Sequence, residues 1–378
     1  MRIVIAPDSF KECLTASDVA SAIARGWHRA APDDELVQTP LADGGEGTTT
    51  ALTEAGQGQL HNVQTSGPDG RRVSARFGLL ADKRTAIVEV AEASGLHRVS
   101  ADHRNALSAS SAGTGELILA ALEHRPDTLV IGLGGSATTD GGAGILQALG
   151  ARLLDDQGRD IPPGGAGLAE LASLDVAPAI ERVAGVRIVV ACDVTNPLTG
   201  PEGAAAVFGP QKGASARDVE QLDANLRHLA TLAQRQGMDI DSFPGSGAAG
   251  GIGGMIAGIL GGELRPGIEL VMETVGLEQQ LRGADLVITA EGSIDAQSAG
   301  GKTPAGVAAL ANRHGIPVLA LAGRVGSGLE ALHRLGITAV FPIAPGPVSL
   351  DQAYSEAGAN LERTAEQLAR LTHGLRGH

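Results

Sequence analysis

The chain has 378 residues, a formal net charge of −14 and no block of lysines or arginines, which excludes a generic nucleic-acid binder with its basic face. Two cysteines, Cys13 and Cys192, stand far apart without metal-ligand spacing, so a disulfide scaffold or zinc module is not expected. Hydrophobic residues make up 43% but aromatics only 2%, so a sizeable core must be built from Ala, Val, Leu and Ile. No apolar run reaches membrane-spanning length and no signal sequence opens the chain, so the expectation is a cytoplasmic protein without membrane partners.

In chain order, "RIVIA" (2–6) is a buried-strand run, and Thr15 with Asp18 reads as a helix start. "ELVQTPLA" (35–42) is a second strand candidate. The stretch 71–94 alternates as antiparallel strands do, "TLVIGLGG" (128–135) and "RIVVACD" (187–193) are buried strands ending in loops, and 245–264 reads as a packed helix with glycine loops at its ends. "DLVITA" (285–290), "PVLALAG" (317–323) and "AVFPI" (339–343) are each followed by helical sequence. Two strand–helix units at the front and three at the back predict one five-stranded parallel α/β sheet made from both chain ends. The middle predicts an inserted α/β domain. The expected boundaries are 1–62 with 281–378 for the first domain and 63–280 for the second, with the site in the cleft between.

Polar residues gather just after these strands, where parallel sheets bind ligands. "APDSFK", "ADGGEGT", "GGSATTDGG", "CDVTNP" and "EGSID" each follow a strand-like run. Any one of them reads as ordinary turn chemistry, whereas five together read as a site. Only four of the 29 basic residues are lysine, and Lys11, Lys212 and Lys302 lie in motif-like loops. Compact ammonium groups beside Asp8, Asp43, Glu46, Asp140, Asp193, Glu291 and Asp295 in glycine-rich loops suit Mg²⁺ and a polyphosphate. "GLGGSA" (132–137) and "GSGAAG" (245–250) match the dinucleotide pattern, but the first lies in mid-chain with an acid in its turn and the second follows no strand. "QSAGGKTP" (297–304) ends as a P-loop does, but position 296 carries Ala where that pattern needs Gly.

"APDSFKECLTA", "LADGGEGT", "GLGGSATTDGGAG", "ACDVTNPLTGPEGAAAVFGPQKGA", "GSGAAGGIGG" and "EGSIDAQSAGGKTPAG" together resemble the motif series of the type I glycerate kinases, in order from residue 3 to about 323. The resemblance implies a discontinuous flavodoxin-like sheet with an inserted α/β domain, and ATP- and Mg²⁺-dependent phosphorylation of D-glycerate to 2-phosphoglycerate in glyoxylate or sugar-acid breakdown. A homodimer is the assembly it allows. In that family "GGKTP" is a nucleotide or substrate loop unrelated to the P-loop, and Ser293 stands where arginine is common. The implied roles are Asp193 or Asp295 as base and metal ligand, and Lys11 as a catalytic cation. Asp8, Ser9, Asp43, Glu46, Ser136, Thr138 and Asp140 are then assigned to substrate, and Lys212, Glu291, Lys302, Gly250 and Gly251 to the nucleotide. Two other readings stand beside it: a nicotinamide-dependent oxidoreductase using "GLGGSA", and a glycerate-binding sensor without turnover.

Overall fold

The computed structural model of the chain describes residues 1–11, 13–42, 47–300 and 302–376. Its strands in chain order are β1 (Arg2–Ile5), β2 (Glu35–Gln38), β3 (Gln59–Ser66), β4 (Arg72–Leu79), β5 (Thr85–Glu89), β6 (Thr128–Gly132), β7 (Arg152–Leu154), β8 (Ser173–Asp175), β9 (Arg187–Ala191), β10 (Glu263–Arg265), β11 (Leu286–Ile294), β12 (Val318–Val325) and β13 (Ile337–Pro342). The chain divides into two compact units, one of Met1–Asp43 with Ile268–His378 and one of Gly44–Gly267. Among the described residues no helix is long and apolar enough to cross a membrane.

Unit 1 carries a five-stranded sheet in the order β13-β12-β11-β1-β2, and every pairing is parallel. Counted within the unit this is 2-1-3-4-5, the flavodoxin-like order. The expected sheet made from both chain ends is present: "RIVIA" runs parallel to "DLVITA", with Ile3, Val4 and Ile5 in register with Leu286, Val287 and Ile288. These β-branched and leucine side chains are buried, as a parallel sheet covered on both faces requires. The helix Ala16–Ala30 starts at a capping box in which Thr15 and Asp18 satisfy each other's backbone N–H. Its Val19, Ile23 and Trp27 pack with Leu361, Ala365 and Leu368 of the C-terminal helix Ala357–Arg376. Each such buried side chain contributes roughly 1.5–3 kcal/mol.

Asp34 fastens both ends of the chain within this unit. Its carboxylate accepts from the N-terminal ammonium at 2.7 Å, from Trp27 Nε1 at 2.8 Å and from His373 Nε2 at 2.9 Å.

Unit 2 holds a six-stranded sheet in the order β10-β9-β6-β5-β4-β3, with β3, β4 and β5 antiparallel and the rest parallel, and β7 and β8 form a separate hairpin. The unit junctions fall at 43/44 and 267/268 and not at the expected 62/63 and 280/281. Residues 47–62 stay with unit 2 because β3 pairs with β4 over its full length and Glu89 holds the start of the helix Thr48–Ala55. At the other end Ile268 packs so closely on Gly306 of the helix Thr303–Arg313 that a Cβ there would lie 2.7 Å from it. The glycine-rich stretch does form a helix, Ala248–Gly258, but Ala249, Gly250 and Gly251 break it with positive φ.

Candidate active site

In unit 1 the carboxyl ends of β1, β11, β12 and β13 surround a cavity of about 410 Å³. Asp8, Ser9, Lys11, Glu291, Lys302 and Arg324 line its polar side, and the segment 350–357, including Tyr354, lines an apolar side. Asp8 is held from three directions. Its N–H bonds Ala290 O at 2.8 Å, one carboxylate oxygen accepts from Ser9 N at 2.6 Å, and the other accepts from Thr303 Oγ1 at 2.7 Å. Thr303 opens the helix Thr303–Arg313, so Asp8 joins the first motif of the chain to the last. Lys302, the residue before that helix, donates to Glu291 Oε1 at 2.9 Å. The lysine of "GGKTP" therefore sits beside a strand-borne glutamate, in a setting unlike a P-loop.

Ser293 lines the same cavity and pairs in register with Arg324 on β12. The charge expected to be missing at position 293 is supplied by the neighbouring strand. Asp295 follows the end of β11 and does not line this cavity; its N–H bonds Ser298 Oγ at 3.2 Å. Of the candidate residues in "APDSFK" and "EGSID", Asp8, Lys11 and Glu291 share the cavity and Asp295 stands outside it.

In unit 2 the loop after β6 is organised around Asp140, which is fully buried. Its carboxylate accepts from Ser111 N and Oγ at 2.8 Å each, from Gly142 N at 3.1 Å and from Gly144 N at 3.3 Å. Burial pushes this carboxyl above its ordinary range, and those bonds oppose the rise. The N–H groups of Gly142 and Gly144 stand where the helix Ala143–Ala148 after "GLGGSA" begins and where a dinucleotide fold would cradle a pyrophosphate, and they are thus directed at an internal anion. Gly250 and Gly251 press against this loop. A Cβ on Gly250 would lie 2.0 Å from Thr138 O, and Gly141 N donates to Gly250 O at 3.0 Å. This packing accounts for both glycines without a nucleotide contact.

Lys212 is buried against the same loop, donating to Thr138 O at 2.6 Å and to Ser136 Oγ at 3.1 Å. Burial drives its ammonium down to about 7, with Asp140 opposing. Ser136, Thr138, Asp140 and Lys212 are therefore one constellation. Asp193 follows β9 and is exposed; its Oδ1 accepts from Gly267 N at 2.8 Å, at the start of the helix Gly267–Thr274. Asp43 and Glu46 lie outside the described residues. Among the described residues no three or more His, Cys, Asp or Glu side chains gather as a metal site. Mg²⁺ commonly takes only one or two carboxylates plus phosphate oxygens, so the donors here fit an ion that arrives with a nucleotide.

Thr303, Arg324, Ser111 and Glu89 were not singled out from the sequence. Glu89 ends β5 and accepts from Gly47 N and Thr49 N at 2.9 Å each, so it obeys the same after-strand rule as the recognised loops. Its place inside an alternating strand stretch hid it. Thr303 and Arg324 become visible only once the strands are in register.

The profile of the Glycerate kinase family matches residues 3–373. A glycerate kinase of Bacillus subtilis (strain 168) is 49% identical over 370 residues, covering 98% of this chain and 97% of its own. The glycerate 2-kinase of Escherichia coli (strain K12) is 46% identical over 378 residues, covering 100% and 99%. A crystal structure from Salmonella typhimurium LT2, named for a glycerate kinase 2, superposes with a TM-score of 0.92 at 47% identity and full coverage of both chains. A match from end to end, with the motif residues standing where strands of both chain ends converge, makes the chain a member of the glycerate kinase family.

Proposed function

We propose that the chain is an ATP-dependent glycerate kinase, transferring the γ-phosphoryl group of ATP to the 2-hydroxyl of D-glycerate to give 2-phosphoglycerate and ADP. The observation that carries this reading is that motif residues from opposite ends of the chain, Asp8 and Lys11 with Glu291 and Lys302, line one cavity at the carboxyl edge of a parallel sheet. Lys11, Lys302 and Arg324 offer three cations to a polyphosphate, and the apolar side with Tyr354 offers a face to a purine.

In the reaction the glycerate hydroxyl oxygen attacks the γ-phosphorus in line. The new P–O bond forms as the bond to the β,γ-bridging oxygen breaks, and that electron pair leaves with ADP. The hydroxyl proton passes to a carboxylate, for which Asp193 is the first choice and Asp295 the second. Mg²⁺ would be held by Asp193 or Asp295 together with phosphate oxygens, and it would neutralise charge on the polyphosphate. Asp8 and Ser9 orient the polar side of the cavity. Ser136 and Thr138 hold Lys212, and Asp140 keeps their loop in shape.

Incubation with ATP, Mg²⁺ and D-glycerate, followed by ³¹P NMR, tests the reading. A 2-phosphoglycerate resonance growing in step with ADP is the expected result. ADP without a phosphoglycerate signal, or glycerate binding without turnover, would remove the kinase assignment.

A further inference from the structure

Unit 2 holds a second cavity, of about 390 Å³, to which no role has been given above. Its walls come from the turn at 68–70, the segment 99–110, Ala137, Pro163 and Lys212. Two cations face it. Lys212 is 2% exposed, and its two hydrogen-bond acceptors, Ser136 Oγ and Thr138 O, are both neutral. Arg104 donates from Nη1 to Gln211 O at 3.0 Å, and its buried Nε has no hydrogen-bond partner among the described residues. Gly213 brings the two cations together: its φ is +91°, and a Cβ there would lie 2.6 Å from Arg104 O, so only glycine lets the chain after Lys212 lie on Arg104.

We propose that this cavity binds an oxyanion, the carboxylate of the small hydroxy acid, through Arg104 and Lys212, with Ser108 facing the hydroxyl-bearing carbons. The proposal rests on the kinase reading above, whose acid substrate it places. A buried N–H without an acceptor is costly, and a carboxylate supplies acceptors to both Arg104 Nε and the third N–H of Lys212. The charge count favours a monoanion. Asp69 at the cavity is already taken by Arg71, whose Nε donates to it at 2.6 Å, while Asp140 offsets Lys212, so one of the two positive charges remains to be met. A triphosphate would bring a charge of about −4 and leave most of it unmatched. Burial lowers Lys212 to about 7, with Asp140 alone opposing, and a bound anion beside it would restore its proton. His103, which bonds Ser100 Oγ through Nδ1 at 2.8 Å, is the remaining titratable group at the cavity.

Steady-state kinetics with both substrates varied test the site, using Arg104→Gln and Lys212→Met. Arg104→Gln gives up one bond to Gln211 O and should fold as the native protein does, so it carries the test if Lys212→Met is unstable. The expected result is a KM for D-glycerate raised by about tenfold or more, with the KM for ATP within about twofold of native. Arg104→Lys, which keeps the charge and loses the fork, should fall between the two. An unchanged glycerate KM overturns the proposal. So does a rise in the ATP KM alone, which would assign the oxyanion to a nucleotide phosphate. Failure of the kinase reading is seen separately, as native protein that leaves D-glycerate unphosphorylated. Calorimetric titration of D-glycerate without ATP then decides the site: weaker binding to Arg104→Gln supports it, and equal binding overturns it.

Discussion

Asp193 shows how one side chain is asked to do two things. Its Oδ1 fastens Gly267 N–H at the start of a helix, while its position after β9 makes it the first candidate for the base. Asparagine keeps a carbonyl oxygen for Gly267 but has no basicity. Asp193→Asn should therefore lower kcat by about 10²–10⁴ and leave Tm unchanged, read by coupled ADP assay and thermal melting. A near-native kcat would take Asp193 out of the proton transfer. Lys11 makes a related case at the unit 1 cavity. In a chain that otherwise prefers arginine it is a compact donor in a tight loop, so Lys11→Arg should be damaging although the charge is kept. Full activity in that variant would reduce Lys11 to a source of local potential. Arg324 marks the limit of reading residues singly. Position 293 looked like a lost charge in one dimension, and only the register of β11 on β12 shows where a guanidinium enters.

Among elements, the loop after β6 depends on Asp140 as its internal anchor. Ser111 and the N–H groups of Gly142 and Gly144 all donate to it, so an amide at this position would set its own N–H groups against donors. Asp140→Asn should cost about 2–4 kcal/mol, seen as a Tm lower by roughly 5–10 °C, and should loosen Lys212 with the loop. A melting curve matching the native one would show that the carboxylate is not the anchor. Elements of this kind were the most legible part of the sequence. The short apolar runs at 2–6, 285–290 and 317–323 read as buried strands and their polar ends as loops. The strand at 59–66 is not among the elements legible in the sequence, and the domain junctions go astray with it, because its first half, "QLHN", carries little apolar alternation. The glycines at 250 and 251 looked like ligand glycines for a similar reason. A backbone pressed against another backbone and a backbone pressed against a phosphate need the same residue.

The whole molecule has two units whose buried charges respond to pH in the same sense but over separate windows. In unit 2 the burial of Lys212 lowers it to about 7 from 10.5, so between those values the unfolded chain binds more protons and the contribution of this group to stability rises with pH. In unit 1 burial alone would raise the Asp34 carboxyl, but the N-terminal ammonium, His373 and Trp27 together hold it below its ordinary value of 3.8. A carboxyl depressed in the fold contributes stability that is fully present above 3.8 and is lost as pH falls through the lower folded-state value. The readout is selective because Trp27 is the single tryptophan of the chain and itself donates to Asp34. Its emission therefore follows unit 1, where a signal summed over the chain would mix two transitions. Native protein should show a Trp27 melting midpoint that falls as pH is taken from about 5 to about 3. Asp34→Asn should start from a lower midpoint at neutral pH, having lost its ionic partners, and should descend less steeply over the same interval. Parallel descents in the two proteins would mean that other carboxylates govern the acid stability of unit 1, and that Asp34 joins the chain ends without controlling when they part.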